Sequence, residues 1–540
     1  MTDTPRLISS DVSADDLRRC IQIFEAISED FGILKKLSED ERIRFLTTAG
    51  QATKPDPALR RRRHKLQRKQ EREAQREANK AVRERTTIRK VRQESFFVAP
   101  DRLLEAPTEA SATKELETPD ICYVCKDDFT RVHHFYDSLC PTCADFNYSK
   151  RFQTAPLHGQ VALITGARLK IGYQAALMML RAGAQVIVTT RFPKDAALRY
   201  AEEKDFSDWQ DRLQVYGLDL RHAPSVEAFT QYLCQTLSHL DILINNAAQT
   251  VRRPPGFYAH IMPVENTPTT DLAPHVQNLL APYEECRRVL QHGRFGAEAS
   301  DGTHWVSEWH NGAIRSGSVN LSQNAPTRTI GAPAQALGIL ASAELSQIPY
   351  ACDGAAELHE DLFPEGRLDQ DLQQVDLRAK NSWRMALAEV PTPELIEVQL
   401  VNSISPFILC SKLKPLMLKN KTGQRHIVNV SAMEGKFSRH TKTDKHPHTN
   451  MAKAALNMMT LTSARDYQRD GIFMNAVDTG WVTDEDPAQL SARKQVEHDF
   501  QPPLDIVDGA ARVMDPVFAG TITGKPVWGN FLKDYVPTEW

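Results

Sequence analysis

An α/β fold built on a doubly wound parallel sheet is what this sequence predicts, with an inserted subdomain and an N-terminal extension of helices and clustered cysteines. Three observations predict it. From residue 160 short apolar runs alternate with helical stretches, and "QVALITGARLKIGYQAALMMLRAGAQVIVTTRF" reads as strand, turn, helix, strand. The turn places Gly166 and Gly172 where close backbone approach and helix packing need small residues. Four later strand-like runs, "LQVYGLDLR", "LDILINNAAQ", "RHIVNVSAMEG" and "GIFMNAVDTGWV", end in polar or small residues suited to line one edge of a sheet.

At 540 residues the chain is long enough for two or more cores, because single domains typically run to about 100–200 residues. Its 41% hydrophobic and 25% charged residues are ordinary for a water-exposed protein. No apolar run is long enough to cross a bilayer, and "MTDTPRLISSDVSADD" has no secretory pattern, so a cytoplasmic protein without a membrane partner is expected.

Taken in chain order, residues 1–56 read as a small helical element, with Leu17, Ile21, Phe24, Ile27, Leu34 and Leu37 near helical spacing. Residues 57–99 form a basic helical arm without Gly and with few large apolar residues, which should pack little. Between Arg60 and Arg92 stand fifteen Lys or Arg against four Glu, a local +11 that leaves −14 for the rest of a chain whose net charge is −3. Two readings stay open: an exposed charged helix, and an arm at residues 60–92 for nucleic acid or an acidic protein. Density of charge favours phosphate contacts, while the lack of aromatic residues weakens single-strand stacking.

Residues 100–119 look like a linker rich in Pro, Thr, Ser and Glu. At 120–152, "CYVCKDDFTRVHHFYDSLCPTC" sets Cys122 and Cys125 two residues apart and likewise Cys140 and Cys143, with fourteen residues between the pairs. Two such knuckles suit four thiolates around a tetrahedral, closed structural zinc ion. His133 and His134 read as neighbours of the site rather than ligands. The remaining cysteines are scattered, as expected of buried thiols.

In their order, the glycine turn and the four strand ends resemble the short-chain dehydrogenase/reductase family across residues 158–248 and 376–540. The resemblance implies a seven-stranded, Rossmann-like parallel sheet, NADP or NAD across the strand carboxyl ends, hydride transfer with a small carbonyl or alcohol substrate, and a homo-oligomer formed through the two helices flanking the site. It assigns Gly166, Ile171 and Gly172 to the pyrophosphate turn, with Lys170 where a glycine is usual. Asp219 and Leu220 fall at the adenine, Asn246 and Ala247 behind the ribose, and Thr479 and Gly480 over the nicotinamide. Arg191, after the second strand where an acid would select NAD, and Arg168 in the turn favour NADP.

The family's catalytic Asn, Ser and Lys are matched by Asn402, Ser431 and Lys453, but Thr449 stands where its tyrosine belongs. A threonine hydroxyl is far too weak an acid to replace a phenol with a pKa near ~10. Three routes stay open: a histidine among His440, His446 and His448, with His448 first; a tyrosine from elsewhere, such as Tyr258, Tyr283 or Tyr350; or binding without turnover. The insertion at about 249–375, which carries these tyrosines and the pairs Trp305/Trp309 and His304/His310, is expected to form a lid or substrate wall.

Overall fold

The computed structural model describes residues 12–53, 57–94, 115–291, 334–350, 360–369, 373–420, 423–438 and 441–540. The chain divides into two units, residues 1–79 and 80–540.

In the first unit, helix Ala14–Glu29 begins at a reciprocal capping box: Asp16 N–H donates to the Ser13 hydroxyl, and Ser13 N–H to the Asp16 carboxylate. Phe24 stacks on Phe45 of helix Glu39–Thr53 at 5.4 Å, while Leu17, Ile21 and Phe24 stay largely exposed. The arm opens as the helix Pro57–Arg83, its proline at a position whose N–H has no helical partner to lose.

In the second unit, strands β1 (Glu115–Ile121) and β2 (Asp128–Arg131) form a hairpin, so Glu115 to Pro119, expected to be linker, belong to the cysteine module. Strands β3 (Val161–Thr165), β4 (Gln185–Thr190), β5 (Leu213–Gly217), β6 (Ile242–Asn245), β7 (Arg425–Ser431), β8 (Ile472–Asp478), β9 (Phe531–Lys533) and β10 (Val536–Thr538) form one sheet in the order β10-β9-β8-β7-β6-β3-β4-β5. Strands β3 to β9 are parallel. Where seven strands were expected there are eight: Asp534 and Tyr535, both at positive φ, make a two-residue turn that folds β10 back antiparallel onto β9. Buried along their whole length, β3 reads as the apolar run VALIT, while β7, RHIVNVS, also buries Arg425, His426 and Asn429. The order reverses between β3 and β6, which opens a crevice at the carboxyl ends.

Helix Ile506–Thr523 packs against helix Lys170–Arg181, while Ser405–Met417 packs against both Ala223–Thr236 and Pro447–Arg469. Part of the described insertion, Gln249, Thr250, Val251, Arg253, Tyr258 and Gln373, walls the crevice as expected, and part packs against the sheet. Helix Pro274–Gln291 lies along β5, and Tyr283 donates to the Ile339 carbonyl at 2.6 Å, covering what would be an open sheet edge. Phe257, Tyr258, Ile261, Ala343 and Phe363 close on Phe192 in a satellite core. His304, Trp305, Trp309 and His310 lie outside the described residues, as does His440.

The cysteine module has no separate core. Phe129, Phe135, Tyr136 and Leu139 share one with Val482, Leu504, Ile506 and Val507 of the sheet domain. The end of the basic stretch is built into the same assembly. Ile88 is buried, Arg83 pairs with Asp120, and Arg89 bridges Asp137 and Asp499.

Candidate functional site

A cavity of about 380 Å³ opens at the carboxyl ends of β3, β4 and β6. Gly166, Arg168, Lys170, Ile171, Gly172, Arg191, Asp219, Leu220, Asn246 and Ala247, all singled out from the sequence, line it. The glycines have geometric reasons. Gly166 sits at φ +67°, and a Cβ there would lie 2.8 Å from the Ala247 Cα; one on Gly172 would lie 2.4 Å from the Asn246 amide nitrogen. Asn246 in turn donates to the carbonyls of Thr165 and Gly166, tying the strand end to the turn. Lys170 occupies the usual glycine position and also takes a glycine's conformation, φ +55°, at the first turn of helix Lys170–Arg181. The cradle therefore keeps its shape and gains a cation.

The two arginines differ. Arg168 is buried and paired with Asp195 at 2.7 Å, a carboxylate it shares with Arg199. Arg191 donates to the Tyr258 hydroxyl at 2.6 Å and lies over the rings of Tyr258 and Phe192. Asp219 is engaged by Arg221, which also reaches Glu397, so burial opposes its charge but Arg221 holds its carboxyl below the usual range.

At the other end the walls are Val401, Val482, Thr483 and Glu485; Asn402, Ser431, Thr449, Lys453, Thr479 and Gly480 are not among them. Asn402 lies in a π-helical turn, Leu400–Ile404, and clamps the loop after β6: its Oδ1 accepts from the Gln249 N–H at 2.7 Å and its Nδ2 donates to the Gln249 carbonyl at 2.9 Å. Ser431 donates to Asn457 at 2.5 Å, one helical turn beyond Lys453. Lys453 donates to the Val430 carbonyl at 2.8 Å, and burial brings its ammonium down to about 8 against the opposing charge of Glu434.

Thr449 is buried, and among the described residues its hydroxyl has no hydrogen-bond partner. His448 is also buried, without a hydrogen bond to either ring nitrogen and 3.9 Å from Glu394, and burial pushes it down to about 4. At neutral pH it is an uncharged imidazole, not the imidazolium expected of it as an acid. His446 caps the same helix at φ +42° and packs on Trp383 at 3.9 Å. Of the tyrosines, Tyr283 is core and Tyr258 stands at Arg191, while Tyr350 lies under Arg252 beside Glu397.

Several residues in this region gave no sequence signal. Asp478, opposite Ser431 in the β7–β8 register, is a buried carboxyl pushed up to about 6 by burial, with Lys533 working against the shift. Asn457 could have been found, since it lies four residues after Lys453 on the same helix face. Tyr123 could not: its place between two cysteines carries no such signal, yet its hydroxyl accepts the Trp481 N–H at 2.9 Å.

The four cysteine sulfurs lie within 4.8 Å of one another, with Cys125 and Cys140 at 3.7 Å. Zinc–sulfur bonds of about 2.3 Å place tetrahedral sulfurs about 3.8 Å apart, so the set fits a zinc ion after slight contraction. Burial opposes ionisation of Cys122, but N–H groups of Cys140, Cys125 and Val124 bring its thiol down to about 7. His133 and His134 stay outside the cluster; His133 accepts from the Phe135 N–H and faces Asp145.

Residues 160–276 match the family model described as short chain dehydrogenase, and residues 367–503 the one described as enoyl-(acyl carrier protein) reductase. The chain belongs to the short-chain dehydrogenase/reductase family. The two matched segments of this short-chain dehydrogenase/reductase bracket much of the insertion. An uncharacterised protein of Acanthamoeba polyphaga mimivirus is 28% identical over 426 residues, 76% of this chain and 74% of that one. A WW domain-containing oxidoreductase of Drosophila melanogaster is 35% identical over 22% of this chain, and retinol dehydrogenase 14 of Mus musculus 40% identical over 17%. The chain spans only 27% and 30% of the lengths of those two. A Burkholderia cenocepacia short chain dehydrogenase solved with NADP is 15% identical, with a TM-score of 0.38 over 70% of this chain and 96% of that one. Among the described residues no helix is long and apolar enough to cross a membrane.

Proposed function

We propose that this short-chain dehydrogenase/reductase binds NADP(H) and moves hydride between it and a carbonyl or alcohol carbon. The observation that carries the reading is the cradle at residues 166–172, where Gly166, Gly172 and Asn246 leave backbone room for a pyrophosphate at the start of helix Lys170–Arg181. Lys170 adds a charge beside the phosphates. Arg191, whose described partners are aromatic rings and the Tyr258 hydroxyl, is placed to meet a ribose 2′-phosphate, which favours NADP over NAD. When bound, the nicotinamide supplies the hydride chemistry. Lys453, Ser431 and Asn402 support that end of the site, and the proton is handled by a group other than a tyrosine at position 449.

Thr449 and the enclosed catalytic corner favour a second reading, nucleotide binding without turnover. One titration and one assay separate the two. Tryptophan-to-NADPH energy transfer should report binding tighter than that of NADH, and NADPH oxidation should appear with some member of a broad carbonyl panel. Binding without oxidation of any carbonyl leaves the sensor reading, and no heat with either nucleotide in calorimetry overturns both.

Three accessory assignments go with this proposal. The cysteines would hold a structural zinc ion, contributing folding free energy to a module whose core is borrowed. Arg83 and Arg89 pair with Asp120, Asp137 and Asp499, so a nucleic-acid or acidic-protein contact falls on the exposed stretch before them, around Lys65 to Arg76. Phe407, Met458 and Leu461 lie exposed on helices Ser405–Met417 and Pro447–Arg469, where a second copy would cover them.

A further inference from the structure

The loop that follows β8 is held from outside the sheet domain's own secondary structure. Gly480 sits at φ +77°, and a Cβ there would lie 2.5 Å from Leu504 and 3.4 Å from the Tyr123 hydroxyl. The next residue, Trp481, donates its N–H to that hydroxyl at 2.9 Å, and its carbonyl accepts from the Leu504 N–H at 3.3 Å. Tyr123 is fixed by the cysteine cluster itself. It directly follows Cys122, whose sulfur accepts the Cys140 N–H, and its own N–H donates to the Ser138 carbonyl at 2.9 Å. The sharp turn that returns the chain from Cys122 toward Cys125 is closed by Lys126 at φ +69°.

The module is also bolted down away from the loop. Arg151 pairs with Asp505 at 2.6 Å and with Asp508 at 2.9 Å, Asn147 accepts from Arg512 at 2.7 Å, and Lys150 reaches Asp515 at 2.6 Å. These anchors hold the module on helix Ile506–Thr523 and leave Tyr123 as the contact that reaches the loop's backbone. Val482 packs in the shared core, while movement of the cysteine knuckle reaches the Trp481 N–H through the Tyr123 hydroxyl, without the module detaching.

We propose that Tyr123 is a positioning residue for the nicotinamide end of the cleft, so that metal loading of the four cysteines sets how firmly the Thr479–Trp481 loop is held. The inference rests on the dinucleotide reading above. A tyrosine supplied by the cysteine module thus does enter this region, as an acceptor that shapes a loop.

The experiment compares the full chain with Tyr123→Phe, which keeps the ring and removes the acceptor. In hydrogen exchange, which needs no nucleotide, the peptide spanning 479–482 should exchange faster in Tyr123→Phe, and equally faster in the wild type stripped with a chelator. Zinc content of Tyr123→Phe should stay at the wild-type level. NADPH affinity should fall about 3- to 10-fold, the scale of one lost hydrogen bond, while adenosine 2′,5′-bisphosphate, which lacks the nicotinamide half, should bind as before. Unchanged exchange at 479–482 overturns the proposal whatever the nucleotide does. Equal weakening of both ligands also overturns it, by showing a general structural role. Faster exchange in Tyr123→Phe, in a protein whose wild type binds neither ligand, would uphold the latch and sink the dinucleotide reading instead.

Discussion

The two ends of the cleft have diverged unequally. At the adenosine and pyrophosphate end each departure from the family pattern is conservative in shape: Lys170 replaces a glycine yet adopts φ +55°, and Arg191 extends from the strand end between two rings. At the proposed nicotinamide end the departure changes chemistry: Thr449 stands where the family's tyrosine is expected, while Lys453 donates to the Val430 carbonyl and Ser431 to Asn457. Binding requires a backbone contour, which tolerates many side chains. Proton transfer requires one group of suitable pKa within about 3 Å of the reacting atom, which tolerates few. The contrast teaches that the first can persist while the second is rebuilt.

The contour itself offers the sharpest break. Gly172→Val would place its Cβ 2.4 Å from the Asn246 amide and 2.5 Å from the Gly166 carbonyl, both parts of the cradle. NADPH affinity should fall by about 100-fold or more, because the added atoms occupy the space of the phosphates' backbone partners. Circular dichroism should show the sheet domain still folded. Near-wild-type binding by this variant would place the nucleotide elsewhere. Arg191→Ala should act next in size and selectively. NADPH affinity should drop about 10- to 100-fold for the loss of a charge-assisted contact, with NADH nearly unchanged, in parallel titrations. Equal losses for both would remove the argument for NADP.

The parallel sheet and the cradle were legible because they depend on local signals: apolar runs, strand-to-helix alternation and glycines at fixed offsets. The catalytic corner was legible only as positions. That Asn402 would clamp Gln249, or that Asp478 would stand buried opposite Ser431, depends on pairings across 153 residues of chain and between strands. The insertion was half legible: its length suggested a wall for the substrate, and Val251, Arg253, Tyr258 and Gln373 do line the cavity, but nothing in it said that helix Pro274–Gln291 and Tyr283 would pack along β5. Tyr123 was invisible because nothing in a cysteine spacing says which surface the knuckle will touch.

Burial of neutral histidines gives a third, intermediate effect. His448 in the catalytic corner, His426 in β7 and His133 in the cysteine module are each pushed down to about 4, with burial the first cause. The unfolded chain binds those protons near pH ~6.5, so between pH ~6.5 and ~4 it holds more protons than the folded chain and stability falls as pH falls. Each histidine should cost roughly 1–3 kcal/mol across that window. Melting temperature followed from pH 7 to 4 should decline. His426→Leu, which removes a ring with no hydrogen-bond partner at either nitrogen, should flatten the decline. A decline of equal slope in the variant would assign it to carboxylates.

The smallest expected effect tests the claim about position 449 most directly. The Thr449 hydroxyl is buried and without a partner among the described residues, so it contributes desolvation cost and no bond. Thr449→Val removes it at nearly constant volume and should leave stability unchanged or raise it by up to about 1 kcal/mol. Any NADPH-dependent turnover should remain within about two-fold, since a group so weakly acidic cannot be the proton donor. If turnover instead vanished in a variant whose melting temperature and NADPH affinity were intact, Thr449 would be part of a proton path. The nicotinamide end would then be a working site with a displaced acid, and the contrast between the two ends would reduce to one of chemistry alone.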